Sequence, residues 1–330
     1  MELKELLTKY SNGERNFVKE NLIGLVLQRG NLEGVNFTEC SLAGSNFTGT
    51  HLESANFQKA FLYGTNLSFV KMGNANLVEA DLTKANLQGS FLAKCDLRGA
   101  KLSGATLLGV NLRSANLTGV NLCASNLSGI NLRSANLTRA NLSWSNLCHA
   151  RLNQAILHET VLTGVNFSEA YLTDVNLAGQ DLNGINFSKA KLKQSNLQYC
   201  DLTATNLTDA DLSQVNLQEA VLNGANLTNA NLRQANLTQA LLTRANLTDA
   251  NLENAIIQDA NFNLANLTNV NLRGANLQGA YLWKANLTNA DLSGADLTNA
   301  SLRGADIMGA NLENALLKRT MLPDGSFSGE

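Results

Sequence analysis

Every fifth residue of this chain, from Phe17 to Leu322, is large and apolar. These 62 consecutive sites hold 52 Leu, 7 Phe, 2 Ile and Met72, with no polar residue and no insertion that shifts the register. Two residues before each such centre stands a small residue, Ala, Val, Ser, Thr, Cys, Ile or Gly in 58 of the 62 repeats. One residue before it stands Asn or Asp in 42 of 62, as in Ala245-Asn246-Leu247-Thr248-Asp249. An α-helix turns about 500° in five residues and scatters such a series around its axis. A straight strand has period 2 and throws alternate members onto opposite faces. The centres share one core only if the chain bends once per repeat, which makes a coil, and stacked coils make a solenoid.

The number of repeats per coil is legible from longer echoes. Residues 111–118 read NLRSANLT, and 131–138 read the same twenty residues later. Asn-Leu-Thr recurs at 206–208, 226–228, 246–248, 266–268 and 286–288. Departures from Asn/Asp fall at 15 of the 31 sites numbered …1 but at 5 of the 31 numbered …6, so neighbouring faces differ. Four faces of five residues explain all three patterns. The expectation is an all-β, right-handed quadrilateral β-helix. It has about fifteen coils and, at roughly 4.8 Å per coil, a length of about 70–75 Å.

The ends depart from the pattern. Leu3, Leu6, Leu7 and Tyr10 recur at helical spacing, which predicts a short helix over residues 2–10 lying across the first coil. Arg15, Glu20 and Leu25 disturb the small site there. The only proline, Pro323, begins Pro-Asp-Gly-Ser, a turn signal that stops the ladder. The expected organisation is a cap over 1–16, the β-helix over 17–322 and a tail over 323–330. Gln180 is the one polar residue at the small inward site away from the N-terminal end, where a bulge or a bound water is expected.

These residues resemble the pentapeptide-repeat family over about residues 15–322. The flanks, Gly13-Glu14-Arg15-Asn16-Phe17 and Met321-Leu322-Pro323-Asp324-Gly325-Ser326, are similar to those of cytoplasmic cyanobacterial members, among them a regulator of heterocyst differentiation that binds a transcription factor. The resemblance implies the quadrilateral β-helix, with Asn/Asp outward, and action by binding another protein such as a transcriptional regulator.

Little else carries chemistry. No G-x-S-x-G, P-loop or G-x-G-x-x-G is present. Cys123, Cys148, His149 and His158 do not have a zinc-ligand spacing. Cys40, Cys95 and Cys200 take the small inward site. Neither catalysis nor a cofactor nor a metal is expected. Five cysteines without a C-x-x-C, and no early apolar run long enough to span a bilayer, point to a reducing, cytoplasmic setting without a membrane. A net charge of −2 makes nucleic acid an unlikely partner.

Function is therefore expected on the outside, at three features. One is a column at His51, Lys71 and Phe91, then Arg151, Tyr171 and Lys191, with Phe61, Tyr63 and Phe69 on nearby faces, read as a partner-binding surface. Another is an apolar set on the opposite face, Val221, Leu241, Tyr281 and Met321 with Trp283 beside it, read as a docking or homodimer face. The third is charge. No acid lies between Asp96 and Glu159, while Arg98, Lys101, Arg113, Arg133, Arg139 and Arg151 are basic, and residues 201–330 hold 13 acids against 7 bases. The favoured reading is a non-catalytic interaction module or scaffold. The alternatives are a DNA mimic like the gyrase-protecting members of that family, and a purely structural or stress-related rod.

Overall fold

The structure is a computed structural model that describes residues 1–329. It divides into two compact units, Met1–Val165 and Asn166–Glu330.

Within each unit the coils pair through single parallel bridges at a constant offset of twenty residues. In unit 1, Asn31 pairs with His51, His51 with Lys71 and Lys71 with Phe91; in unit 2, Asn186 pairs with Asn206 and Asn206 with Asn226. The four-repeat coil read from the sequence echoes is thus the register of the backbone. Each face is too short to make an extended strand, so a column of one-residue bridges replaces an ordinary sheet.

The pattern of backbone hydrogen bonds explains the five-residue period. The centre donates to a carbonyl on the next coil, as Leu32 does to His51 (2.9 Å). The residue before it donates to the previous coil, as His51 does to Gly30 (2.9 Å). The residue two after the centre donates forward again, as Gly34 does to Glu53 (2.9 Å). The next small residue closes a turn back to the centre, as Val35 does to Leu32 (3.2 Å). One N–H per repeat, on the residue just after the centre, remains. Asn or Asp takes it: Asn36 Oδ1 accepts from the Thr38 N–H (3.1 Å), Asn121 Oδ1 from Cys123 (3.0 Å) and Asp201 Oδ1 from Thr203 (2.9 Å). This is an Asx-turn repeated along the chain, and it is why an amide or carboxylate stands before each centre.

Every fifth residue from Lys19 to Arg319 has a positive φ, between 51° and 71°. This is the third turn position, which a type II turn holds at φ > 0. Only part of the series is glycine. Lysine, glutamate and even Phe69 (φ 56°), Trp144 (φ 59°) and Tyr199 (φ 60°) occupy it, at a cost of order 1 kcal/mol each.

The centres and small sites fill the core of each unit. Leu132, Leu137, Leu142 and Leu147 in unit 1, and Leu232, Leu237 and Leu242 in unit 2, are fully buried. Phenylalanine centres meet in the core, Phe37 tilted against Phe57 at 5.5 Å and Phe167 stacked on Phe187 at 5.3 Å between ring centroids. Hydroxyl and thiol groups at the small site reach back to a centre carbonyl of the preceding coil: Thr50 to Leu27 (2.7 Å), Ser195 to Leu172 (2.7 Å) and Cys95 to Met72 (2.8 Å). These bonds let Ser, Thr and Cys replace Ala inside an apolar core.

Ahead of the first coil lies α1 (Leu3–Ser11), which buries Leu6. The Tyr10 hydroxyl donates to the Glu33 carbonyl (2.9 Å), and the Arg15 guanidinium lies 3.8 Å over the Tyr10 ring. In unit 2 the final turn is a hairpin: Leu322 donates to Ser326 (2.7 Å), Gly325 has φ 88°, and Met321 pairs antiparallel with Phe327. Of the bulge or bound water expected at Gln180, the bulge is not formed: its N–H closes the usual turn to Leu177 (3.1 Å), and its carbonyl accepts from Asp201 (3.1 Å). Its side chain stays half-exposed, so the ladder passes through it intact.

The Asx bond makes a prediction. Asn136 Oδ1 accepts from both the N–H and the hydroxyl of Thr138 (3.0 and 2.6 Å). Asn136→Ala should cost about 1–2 kcal/mol, read by denaturant unfolding, whereas Asn136→Asp, which keeps the acceptor, should cost less than half as much. Equal losses would show that the side-chain oxygen is not what the position is for.

Candidate interaction surfaces

An outward residue other than Asn or Asp leaves the following N–H without its side-chain acceptor. All the candidate residues but Tyr63, Phe69 and Trp283 are such departures, and those put a different side chain outward at the expense of their own Asx bond.

In unit 1, His51, Lys71 and Phe91 are consecutive bridge partners in one column, which runs on through Asn111 and Asn131 to Arg151. The Phe91 ring (45% exposed) lies over Gly73, where an added Cβ would stand 3.1 Å from Phe91 Cε1. Phe61 and Tyr63 are not part of this surface. Phe61 bridges Ser41 and Asp81, two faces round the coil from Lys71 and therefore opposite it. There the Phe61 and Tyr63 rings lie 6.0 Å apart and 15° from parallel. Lys84 Nζ sits 5.5 Å from the Tyr63 centroid, and its hydrogen bond to Tyr63 holds the ammonium above its ordinary pKa. Phe69 lies on the face between the two and is 59% exposed. Its ring covers Gly89, where a Cβ would meet Cε1 at 2.6 Å.

Trp144, absent from the sequence-based candidates, is the most exposed aromatic among the described residues at 68%. It stands at the positive-φ turn position, and its indole lies on Gly164, where a Cβ would fall 2.4 Å from Cε3. The signal was present as an aromatic twenty residues before a glycine, a pairing that Phe69 and Gly89 share.

In unit 2, Tyr171 and Lys191 are adjacent bridge partners and both are exposed. Val221, Leu241, Tyr281 and Met321 share one column, but Asn261 and Ser301 interrupt it, and Val221 and Met321 are half-buried. The apolar set is therefore three separate spots rather than one patch. Two of its members carry a compensation: Asn223 Oδ1 accepts the Thr243 N–H (3.0 Å) beside Leu241, and Asn263 Oδ1 accepts the Trp283 N–H (2.9 Å) beside Tyr281. An asparagine one coil back replaces the acceptor that the apolar residue lacks. Lys284 Nζ lies 4.7 Å over the Trp283 ring. The threonine series at 208–288 bonds to its own asparagines, Thr248 Oγ1 to Asn246 Oδ1 (2.7 Å), and Asn266 Nδ2 reaches Thr248 Oγ1 (2.9 Å), so it is a polar ladder.

Among the described residues, no group of His, Cys, Asp and Glu is placed to hold a metal ion, and no helix is long and apolar enough to cross a membrane. The five cysteines are all free thiols. Burial pushes Cys95 up to about 12 and Cys40 and Cys200 up to about 11, against an ordinary value of 9.0. At neutral pH a maleimide should label exposed Cys123 quickly, half-exposed Cys148 more slowly, and the other three only after unfolding. Between pH 9 and 11 the folded chain holds thiol protons that the unfolded chain has lost, so its stability should fall as pH rises through that window. Cys95→Ala should flatten the slope; an unchanged slope would remove the buried thiols as its cause.

Two descriptions of the family match the chain: pentapeptide repeats over residues 115–154, 245–283 and 275–314, and a pentapeptide repeat region over 35–112 and 150–227. No curated protein matches it. Among solved structures, it is similar to HetL, a pentapeptide repeat protein involved in heterocyst differentiation regulation from the cyanobacterium Nostoc sp. strain PCC 7120. The identity is 27%, 99% of this chain and 100% of that one are covered, and the TM-score is 0.29. It is also similar to QnrB1, a plasmid-mediated fluoroquinolone resistance protein, at 17% identity over 59% and 90% of the two chains with a TM-score of 0.32. Rfr23 from the cyanobacterium Cyanothece 51142 is similar at 23% identity, over 52% and 99%, with a TM-score of 0.23. With its twenty-residue bridge register and a five-residue motif matched along most of its length, this chain belongs to the pentapeptide-repeat family.

Proposed function

We propose that the chain is a non-catalytic protein-interaction module that acts in the cytoplasm by presenting its outer faces to another protein. The observation that carries this reading is the run of consecutive departures His51, Lys71 and Phe91 in unit 1. At each, the turn N–H loses the acceptor that most repeats keep, and the gain is an exposed or half-exposed side chain of the kind that anchors protein interfaces. Phe61, Tyr63, Phe69 and Trp144 add exposed aromatic surface on the other faces of the same unit. The core, filled by Leu, Phe and Ala side chains, leaves chemistry to the outside. A DNA-mimic reading is less well supported, because unit 1 carries Lys94, Arg113, Arg133 and Arg151 where an acidic surface would be needed.

The test is affinity capture with the wild-type chain and with Lys71→Ala/Phe91→Ala, followed by reconstitution of the captured protein with the purified chain. The expected result is a complex that the wild type forms and the double variant weakens at least tenfold, with an unchanged melting curve. A wild-type chain that forms no reconstituted complex with any captured protein would favour a purely structural role.

A further inference from the structure

The cations of unit 1 are sorted by face. On the three faces away from the His51–Phe91 column, all but the exposed Arg29 near the N-terminal end have partners: Lys19 with Glu39 (3.4 Å), Lys59 with Glu79 (3.8 Å), Arg98 with Asp96 (2.7 Å), Lys101 with Asp81 (3.9 Å), Arg139 with Glu159 (2.6 Å), and Lys84 with Tyr63. On the remaining face, Lys71, Lys94, Arg113, Arg133 and Arg151 have none among the described residues, and all five are exposed. They stand one per coil on five successive coils, as the bridges Lys71–Phe91, Phe91–Asn111, Asn111–Asn131 and Asn131–Arg151 show. Arg113 and Arg133 occupy the same position on adjacent coils, so two like charges are stacked about 4.8 Å apart at the backbone. Asn111 and Asn131 anchor them from beneath: each Oδ1 accepts the backbone N–H of its arginine (3.1 and 3.3 Å), and Asn131 Nδ2 donates to Asn111 Oδ1 (3.1 Å). On the two coils before the strip the charge reverses, with Glu33 exposed and Glu53 half-exposed on the same face.

We infer that this strip is the docking site for an extended acidic segment of a partner protein, of about six residues, laid along the coil stack. The inference rests on the reading of the chain as an interaction module and names the chemistry of one partner surface. The length follows from geometry: four coil spacings, from Lys71 to Arg151, span about 19 Å, the reach of about six extended residues. The charge is complementary, and arginine forks suit carboxylates. The boundary decides between classes of polyanion. A nucleic acid duplex carries a charge every ~1.7 Å without end, so laid along this face it would run onto Glu53 and Glu33 against a chain of net charge −2. A short acidic segment ends where the strip ends. Phe91, lying within the strip, offers an apolar contact to a side chain between the acids.

The experiment uses a fluorescein-labelled octaglutamate peptide, titrated with the full chain and followed by anisotropy at low and physiological salt. Arg113→Glu/Arg133→Glu should weaken binding at least tenfold, and added salt should weaken wild-type binding. The control Arg244→Glu/Arg303→Glu, which makes the same charge change in unit 2, should alter it less than twofold. Melting curves confirm that both variants fold. Equal weakening by the two variants would reduce the effect to net charge and overturn the site. So would a twelve-nucleotide single strand that binds more tightly than the peptide, which would assign the strip to nucleic acid. If the protein recovered by capture still binds Arg113→Glu/Arg133→Glu as tightly as wild type, the strip is not its dock, while the interaction-module reading stands.

Discussion

One backbone N–H in every repeat has no carbonyl to meet, and the structure is organised around satisfying it. The coil ladder and the turn consume the other four N–H groups of the five-residue unit. The last lies on the outer surface just after the centre, where Asn or Asp Oδ1 reaches it at about 3 Å in repeat after repeat. The side chain thereby locks the turn that sends the next centre inward. Core, corner and surface are coupled: a leucine points at the axis because the chain turns after it, and the turn holds because the residue before the leucine bonds across it.

The turn carries strain as well as bonds. Its third residue is left-handed throughout, yet most occupants have a side chain. Such residues persist where the surroundings over-determine the backbone, and here the same residue's N–H is fixed to the next coil, as Lys94 is to Arg113 (2.8 Å). Burial of apolar centres on both sides of each corner offsets the local cost. The arrangement frees this position to hold whatever the outer surface needs, which is how Phe69 and Trp144 come to lie against glycines one coil on.

Much of this was legible in the sequence, for a physical reason: a core with one centre per repeat repeats its constraint. The period, the inward small site, the twenty-residue register, the helix near the N-terminal end and the turn at Pro323 all follow from patterns of side-chain size. The role of asparagine was not legible, because an outward polar residue reads as solvation until its oxygen is seen on a particular N–H. Left-handed corners filled by lysine or tryptophan were hidden for a similar reason, since propensity alone assigns such φ values to glycine. At Gln180 a polar residue at a small site points to a bulge or a bound water; no bulge forms, because partial exposure of the side chain leaves the backbone bonds to Leu177 and from Asp201 in place. Phe61 and Tyr63 are expected on a face near that of Lys71, but ten residues carry the chain to the opposite face.

The Asx bond also separates surface positions that are idle from those that are used. Where Asn or Asp stands, the side chain serves the backbone and is not free for a partner. A replacement releases an outward position but gives up that bond. Consecutive replacements in one column are different, because His51, Lys71 and Phe91 give up three bonds side by side. The same loss is handled in two ways. Leu241 and Tyr281 borrow an acceptor from Asn223 and Asn263 on the coil before, whereas no side-chain acceptor meets the Glu53, Gly73 or Ala93 N–H of unit 1 among the described residues. Stability alone would favour the borrowed acceptor at both places. The borrowed acceptor is absent beside Val221 as well as beside His51, Lys71 and Phe91, so what sets the unit 1 column apart is the loss on three consecutive coils, on the same face that carries the unpaired cations.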